Sequence, residues 1–225
     1  MTLPIHEVFC SWQGEGCHVG RKAFFIRTYG CPLHCPWCDA AGTWHPDYIP
    51  EKVARVPEDD LVRQAVASGA PRVIITGGEP AIHDLNQLTL ALHRAGLRVH
   101  LETSGAFPLR GRFDWITVSP KRARPALPEV LAASHELKLI IDTPEAIGEW
   151  WPRLRALGRW EDVWLHPEWS QRSNPAVLRA INDAVRQQGD PLRAGWQLHK
   201  CYRCDEEDPR SAKPAPLGWR PELGY

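Results

Sequence analysis

The stretch YGCPLHCPWCDA, residues 29–40, places three cysteines within eight positions of the chain. Cys31, Cys35 and Cys38 follow an apolar run, 23–30, that is typical of a β-strand. A tight cysteine loop at the carboxyl end of a strand lies where α/β folds build their active sites. Thiolates bind iron–sulfur clusters, zinc or copper(I), and both structural zinc and most clusters take four ligands. Three cysteines therefore indicate a metal centre with one position open.

The composition predicts a folded protein in a reducing compartment. The chain has 225 residues, 43% of them hydrophobic, and 27 basic residues balance 27 acidic ones. Because nucleic-acid-binding proteins usually carry a basic excess, and membrane spans need long uncharged runs, we expect neither partner. The amino terminus lacks the pattern of a secretion signal, so we expect a cytoplasmic protein. Its seven cysteines are then thiols or metal ligands rather than disulfides.

Apolar runs alternate with amphipathic segments along the chain, which predicts parallel βαβ units. The predicted strands are 23–30, 72–78, 98–105, 114–120, 136–142, 162–168 and 195–200, and the predicted helices are 58–69, 84–96, 144–158 and 174–189. Several crossovers are too short for a full helix. We therefore expect an α/β fold, an incomplete TIM-like β/α barrel of about six strands with a reduced helical layer. Residues 1–225 would form one domain, with 201–225 as an irregular tail rich in proline and charge.

The cysteine spacing, with Trp37 before the last cysteine, resembles the signature of the radical S-adenosylmethionine (SAM) enzymes. In that superfamily the three cysteines hold a 4Fe–4S cluster, and the amino and carboxylate groups of SAM bind the fourth iron. One electron from the cluster cleaves SAM to a 5′-deoxyadenosyl radical, which abstracts a hydrogen atom from the substrate. The resemblance implies a radical SAM core with one 4Fe–4S cluster, held by Cys31, Cys35 and Cys38, and SAM as cofactors.

A second motif, TGGEP at residues 76–80, follows the next long strand and resembles the GGE motif of the same superfamily. Glycines allow a strand end to approach a ligand closely, and a carboxylate suits the SAM ammonium group. The resemblance implies that Gly77, Gly78 and Glu79 contact SAM. It extends to polar residues at the ends of the next two strands, in ETSG and VSPK: Ser104, Ser119 and Lys121.

The amino-terminal sequence IHEVFCSWQGEGCHVGRKAFFIRTYG, residues 5–30, resembles the start of the 7-carboxy-7-deazaguanine synthases. ETSG, VSPK and QLHK follow in that family's order, so the resemblance covers roughly residues 5–200. That family converts 6-carboxy-5,6,7,8-tetrahydropterin to 7-carboxy-7-deazaguanine by ring contraction with loss of ammonia, on the route to queuosine and other 7-deazapurines. SAM is regenerated in the reaction. The resemblance implies this activity for the chain.

The resemblance also implies which residues bind the pterin. A pterin presents ring N–H and amino donors along one edge, which carboxylates accept in a paired geometry. Gln13, Glu15 and Glu102 match the family's residues for that edge. Arg27 matches its partner for the pterin or its carboxylate, and Thr76 is expected close by.

One position departs from the family pattern. Relatives typically carry threonine after the Cys-Asp pair, and its hydroxyl helps to hold Mg²⁺ against the substrate carboxylate. Here Ala40 follows Cys38 and Asp39, and alanine has no ligand atom. Magnesium is therefore expected to bind more weakly or differently, with Asp39 or Thr43 as substitutes, or not to be needed.

The remaining expectations concern partners and alternatives. The resemblance implies an external one-electron reductant such as flavodoxin or ferredoxin, and a homodimer. Another small radical SAM enzyme, such as a glycyl-radical activating enzyme, would not need the QGEG element. An electron-transfer protein would not need TGGEP. Four cysteines lie outside the loop and are interpreted as thiols rather than as a second metal site: Cys10, Cys17, Cys201 and Cys204.

Overall fold

The computed structural model describes residues 1–212, and nine strands in this part of the chain join in one sheet. The strands are β1 (Thr2–Trp12), β2 (Lys22–Thr28), β3 (Ala54–Pro57), β4 (Arg72–Gly77), β5 (Arg98–Thr103), β6 (Trp115–Val118), β7 (Glu136–Ile141), β8 (Val163–Pro167) and β9 (Leu192–Ala194). The helices are α1 (Glu58–Ala67), α2 (Asn86–Arg94), α3 (Pro128–Ala133), α4 (Ala146–Leu157), α5 (Pro175–Gln188) and α6 (Leu198–Tyr202). None of these helices is long and apolar enough to cross a bilayer.

The strand order is β3-β1-β2-β4-β5-β6-β7-β8-β9, with parallel pairing from β2 to β9. β1 and β3, at one end of the sheet, run antiparallel to their neighbours. The connection from β5 to β6 contains no helix, and α3 has only six residues. The expected incomplete barrel with a reduced helical layer is confirmed, but it has more strands than the sequence predicted.

Six predicted strands and all four predicted helices are found within a few residues of their expected bounds. The strands β1 and β3 were not predicted, because a register shift between Ile5 and Glu7 interrupts the alternation in β1 and β3 is very short. The strand predicted at 195–200 is wrong. The chain leaves the sheet at Gly195, where a side chain would meet the His166 ring at 2.3 Å, and then forms α6.

The two faces of the sheet differ in polarity. Alternate residues, such as Val73 and Ile75 of β4 or Leu137 and Leu139 of β7, are fully buried under the helices in one large apolar core. Each such side chain contributes about 1.5–3 kcal/mol on burial. Their neighbours in sequence point to the opposite, concave face, where polar side chains such as Thr76 and Lys138 lie beside a small apolar cluster: Phe9, Ala23, Phe25 and Ile74. The concave face therefore carries the chemistry, and the helical face carries the stability.

Candidate active site

The concave face opens into a cavity of about 520 Å³ at the carboxyl ends of the parallel strands. This volume lies in the range of small-molecule sites, roughly 300–1,000 Å³. Every residue that the sequence predicted for the site lines the cavity except Thr43: Gln13, Glu15, Arg27, Cys31, Cys35, Cys38, Asp39, Ala40, Thr76, Gly77, Gly78, Glu79, Glu102, Ser104, Ser119 and Lys121. The sheet thus gathers residues more than 100 positions apart around one space.

The cysteine loop forms one wall of this cavity. Burial raises the pKa of each of the Cys31, Cys35 and Cys38 thiols to about 11, so a bound cation is needed to hold them as thiolates at neutral pH. Within residues 1–212, no three acidic, histidine or cysteine side chains are close enough together to bind a single metal ion. A cubane cluster does not require this, because each thiolate binds a different iron. The Trp44 indole donates to Cys38 Sγ at 3.3 Å, a contact of the kind that tunes clusters.

The glycines of TGGEP let this strand end lie directly against the cysteine loop. A Cβ atom on Gly77, whose φ is +138°, would lie 2.3 Å from the Thr28 carbonyl oxygen, and one on Gly78 would lie 2.2 Å from that of Gly30. In the same place the backbone N–H groups of Gly78 and Glu79 donate to those two carbonyls. Only glycine permits this approach, so the motif fixes the loop that carries the cysteines.

Gly78→Ala is therefore expected to lower the free energy of unfolding by about 1–3 kcal/mol, because the added methyl group meets backbone that cannot yield. The cysteine loop should shift with it, and iron content after reconstitution should fall. Gly148→Ala provides the control. Gly148 lies inside α4 with open space around it, so alanine there should stabilise the chain by about 0.5–1 kcal/mol. Urea unfolding of both variants tests the pair, and unchanged stability and iron in Gly78→Ala would refute it.

The Glu79 carboxylate is buried and every acceptor position on it is occupied. One oxygen accepts from the Ala81 N–H at 3.0 Å and from the Thr103 hydroxyl at 2.5 Å, and the other accepts from the Ser104 N–H at 2.8 Å and from the Ser104 hydroxyl. A carboxylate accepts about four such bonds. Glu79 thus joins the ends of β4 and β5, and it orients Ser104 toward the cavity.

Lys121 and Ser119 lie at the end of β6, across from the cysteine loop. The Lys121 ammonium donates to the Ser119 carbonyl at 2.5 Å and to its hydroxyl at 2.7 Å, and it lies 5.5 Å from the centre of the Trp37 ring. Burial lowers the pKa of Lys121 below its ordinary value. These contacts hold the Lys121 ammonium near the cysteine loop. None of them is made to a carboxylate.

Gln13, Thr76 and Glu102 form a polar group on the opposite wall. The Gln13 amide donates to one oxygen of Glu102 at 2.7 Å, and the Thr76 hydroxyl donates to the other at 3.0 Å. Gln13 also accepts from the Glu15 N–H at 3.2 Å. Three of the residues predicted to contact the pterin edge are therefore held in one hydrogen-bonded array.

Glu15 is buried, with 7% of its surface exposed, and both its oxygens have cationic or amide partners. The Lys138 ammonium pairs with one oxygen, and the Gln197 amide donates to the other at 2.7 Å. Burial opposes ionisation of Glu15, but Lys138, His166 and His199 outweigh it and hold the pKa of Glu15 far below its ordinary value. Burial likewise opposes the charge on Lys138, and Glu15 nevertheless raises the pKa of Lys138 above its ordinary value. The pair is therefore fully charged at neutral pH.

Arg27 extends from β2 into the cavity, where its Nε lies 2.5 Å from one oxygen of Glu7. The other oxygen of Glu7 accepts from the backbone N–H of Ala212. Glu7 therefore fixes Arg27 on one side and anchors the segment 204–212 on the other. This segment follows α6 and packs against β1, where Asp208 accepts from the Cys10 N–H at 2.8 Å.

The three residues predicted near magnesium lie in different environments. Asp39 is half exposed to the cavity, and its carboxylate lies 2.7 Å from the Lys200 ammonium. Ala40 lines the cavity with no polar side-chain atom, and its carbonyl accepts from both the N–H and the hydroxyl of Thr43, at 3.0 and 2.7 Å. Thr43 is fully buried. Of these three residues, Asp39 is the one that presents a carboxylate to the cavity.

The four cysteines outside the loop do not gather into a metal-binding group within residues 1–212. Cys17 donates to Asp162 at 2.9 Å, and Cys204 accepts from the Ser11 hydroxyl at 3.3 Å. Cys201 is exposed. All four are free thiols in this structure.

Comparison with known proteins shows to which family the chain belongs. The model of the radical SAM superfamily matches residues 25–149, more than half of the sequence. A 7-carboxy-7-deazaguanine synthase of Synechocystis sp. is 44% identical over 169 residues, which cover 75% of this chain and 79% of that protein. The chain belongs to the 7-carboxy-7-deazaguanine synthase family. It is a radical SAM enzyme, as the cysteine loop and the GGE motif predicted.

Other 7-carboxy-7-deazaguanine synthases give the same result. The Escherichia coli (strain K12) protein is 38% identical over 153 residues, 60% of this chain and 69% of that one. The crystal structure of QueE from Escherichia coli superposes with a TM-score of 0.75 at 31% identity, covering 88% of this chain and 95% of that one. The family resemblance and the fold class predicted from the sequence are confirmed.

Lys138, Lys200 and Gln197 also line the cavity of this family member, in addition to the residues predicted to bind the cluster, SAM or the pterin. Lys138 lies two positions after Glu136 in the run ELKLIID, so both face the interior of the barrel. A charged residue at an inward position of a buried strand was the available signal. Gln197 and Lys200 belong to QLHK, which was interpreted as a strand, and the helical turn that presents their side chains was therefore missed.

Proposed function

We propose that this chain converts 6-carboxy-5,6,7,8-tetrahydropterin to 7-carboxy-7-deazaguanine, with loss of ammonia, in the biosynthesis of queuosine and other 7-deazapurines. The observation that carries the proposal is one cavity in which a three-cysteine wall faces an array of two carboxylates and an amide. A pterin edge is rich in N–H donors, and Glu15, Glu102 and Gln13 present acceptors to it. Arg27 would bind the pterin or its carboxylate, and Thr76 would hold Glu102 in place.

The proposed cofactors, a 4Fe–4S cluster and SAM, use two different sets of residues. Cys31, Cys35 and Cys38 would hold one 4Fe–4S cluster, which together with SAM supplies the one-electron chemistry that removes a substrate hydrogen. The chain's own contribution is to bind SAM through Gly77 and Gly78 and through three polar side chains: Ser104, Ser119 and Lys121. Since the Glu79 side chain is saturated, we propose that it acts by orienting Ser104 and that only its backbone faces SAM.

Magnesium, the third group that the resemblance implied, does not fit the residues present. Ala40 offers no ligand atom, its carbonyl is occupied twice by Thr43, and Asp39 is already paired with Lys200. Mg²⁺ prefers six oxygen ligands, commonly one or two carboxylates together with substrate oxygens and water. We assign no step of the reaction to it.

The wider setting is proposed on the same family grounds. The reductant would be an external flavodoxin or ferredoxin, the chain would act as a cytoplasmic homodimer, and neither nucleic acid nor a membrane would be a partner. Residues 1–225 would form a single domain. The irregular tail predicted at 201–225 includes short helical turns at α6 and at Cys204–Glu206, and residues 213–225 lie outside the described part of the chain.

An anaerobic assay tests the reaction directly. Reconstituted protein, SAM, a chemical reductant and the carboxytetrahydropterin should yield 7-carboxy-7-deazaguanine by mass spectrometry, with SAM recovered unchanged. If SAM is cleaved while the pterin is untouched, the radical chemistry stands but the substrate is wrong. A glycyl-radical activating enzyme would behave in that way, and the QGEG element argues against it.

A further inference from the structure

Lys200 pairs with Asp39, the residue just before Ala40, where the chain departs from the family pattern. Its ammonium is 2.7 Å from Asp39 Oδ2 and 3.0 Å from the Gln197 side-chain oxygen, and it lies 5.1 Å from the centre of the Trp169 ring. Lys200 lines the cavity with about a fifth of its side chain exposed. An ammonium has three N–H donors, and these contacts use two of them. The third is available to a ligand.

The surroundings hold the ammonium in place from independent parts of the chain. Asp39 belongs to the cysteine loop, Gln197 precedes α6, and Trp169 follows β8. The Gln197 amide bonds to Glu15 at 2.7 Å, so the Lys200 position is tied to the proposed pterin edge by a single side chain. Arg27 and Lys138, which extend into the cavity from β2 and β7, are each paired with a glutamate, and Lys200 is paired in the same way with Asp39.

We infer that Lys200 supplies, in this chain, the positive charge that binds the substrate carboxylate, in the place that relatives give to magnesium. The inference rests on the proposed function, because it assumes a carboxylated pterin in the cavity. The geometry that supports it is the ion pair of Lys200 with Asp39, the residue that precedes Ala40 in the chain, with one N–H donor of Lys200 unused. An ammonium is a compact cation that suits an anionic oxygen as a point charge. The enzyme should then work without a divalent metal.

The experiment uses reconstituted full-length protein after treatment with a chelator, with and without added Mg²⁺. The wild-type kcat/KM for the carboxypterin should change less than about twofold on adding Mg²⁺. In Lys200→Met, the kcat/KM should fall about 30-fold, as expected for loss of a charge-assisted hydrogen bond. The double variant Ala40→Thr/Lys200→Met restores the threonine that relatives carry after the Cys-Asp pair. Its remaining activity should increase when Mg²⁺ is added.

Binding measurements separate this role from a structural one. The Kd of the carboxypterin, measured by calorimetry on reconstituted protein, should rise in Lys200→Met by a similar factor, while the Kd of SAM and the iron content stay unchanged. Lys22→Met is the matched control, because Lys22 lies at the amino end of β2, away from the cavity. This variant should match the wild type in every measurement.

The outcomes distinguish the inference from the function on which it rests. If the wild type turns over the pterin only when Mg²⁺ is present, Lys200 does not replace the metal and the inference is overturned. The same follows if Lys200→Met leaves pterin binding intact or weakens SAM instead. If the wild type fails to convert the pterin under any condition, the proposed function itself is wrong.

Discussion

Cys35→Ser is expected to abolish pterin turnover, because serine cannot replace one of three thiolates that hold the cluster. The wild type should bind about four iron atoms per chain after reconstitution, as one cubane cluster requires. In the variant, iron and the visible absorbance of the cluster should be lost together. SAM binding should weaken as well, since the proposed SAM site includes the open iron. Iron analysis and the mass-spectrometric assay measure both effects.

Cys201→Ser is the control for this change. Cys201 is exposed, and its sulfur accepts a bond from the Trp196 indole at 3.2 Å. We expect this variant to keep the iron content and activity of the wild type. About eight iron atoms in the wild type, or loss of iron in Cys201→Ser, would contradict a single cluster and would restore the second metal site as an explanation.

Lys138→Met is expected to lower kcat/KM for the pterin about 100-fold. The change removes the cation that holds Glu15 ionised against the pterin edge, and loss of a charge-assisted contact with substrate is worth up to about 3 kcal/mol, where each 1.4 kcal/mol is a factor of ten. Methionine has a similar length and fills the same space. Because Lys138 pairs with Glu15 and not with a cysteine, the iron content and SAM binding should stay unchanged. Steady-state kinetics and calorimetry measure the two effects separately.

The pH dependence gives the Lys138 prediction a second test. In the wild type the pKa of Glu15 is depressed and that of Lys138 is raised. The contribution of Glu15 to stability is thus present above its unfolded pKa and lost as pH falls through the folded one, whereas that of Lys138 is present below its unfolded pKa and lost at high pH. In Lys138→Met, burial opposes ionisation of Glu15, and only His166, His199 and the bond from the Gln197 amide favour it. The acid limb of the pH–rate profile should therefore move to higher pH.

A double-mutant cycle with Glu15→Gln supplies the contrary outcome. If the two side chains act as one unit, Lys138→Met should have a much smaller effect when Glu15 is already glutamine. Additive effects, or a kcat/KM within twofold of the wild type in Lys138→Met alone, would show that the pair is not used by the reaction. Unfolding measurements on all variants would identify losses that come from stability alone.

The parts of the site that the sequence predicted are those in which neighbouring residues act together. Cys31, Cys35 and Cys38 form a local motif, and TGGEP needs glycine because the backbones of β2 and β4 touch. The pairing of Glu15 with Lys138 joins residues 123 positions apart, and no local pattern encodes it. Gln197 was missed because its contacts with Glu15 and Asp39 exist only after the barrel has closed.

The fold was predictable to the same extent. Parallel strands are indicated by apolar runs that alternate with amphipathic segments along the chain, so β4 to β8 were found near their true bounds. β3 depends on its pairing with the distant β1, which a run of residues does not reveal, and the register shift within β1 interrupts the alternation there. At 195–200 the chain leaves the sheet where Gly195 lies against the His166 ring, a tertiary contact that a run of residues does not reveal.

Glu7 has a consequence for the order in which the molecule assembles. Its bond to the Ala212 N–H closes a loop of 205 residues, so it can form only after the barrel has brought these distant segments together. Contacts of such long range that bury little apolar surface are the first to open in local fluctuations. Amide hydrogens of 204–212 should therefore exchange with solvent well before those of β4 and β5. This side of the cavity can open by local unfolding of 204–212 while the sheet stays folded.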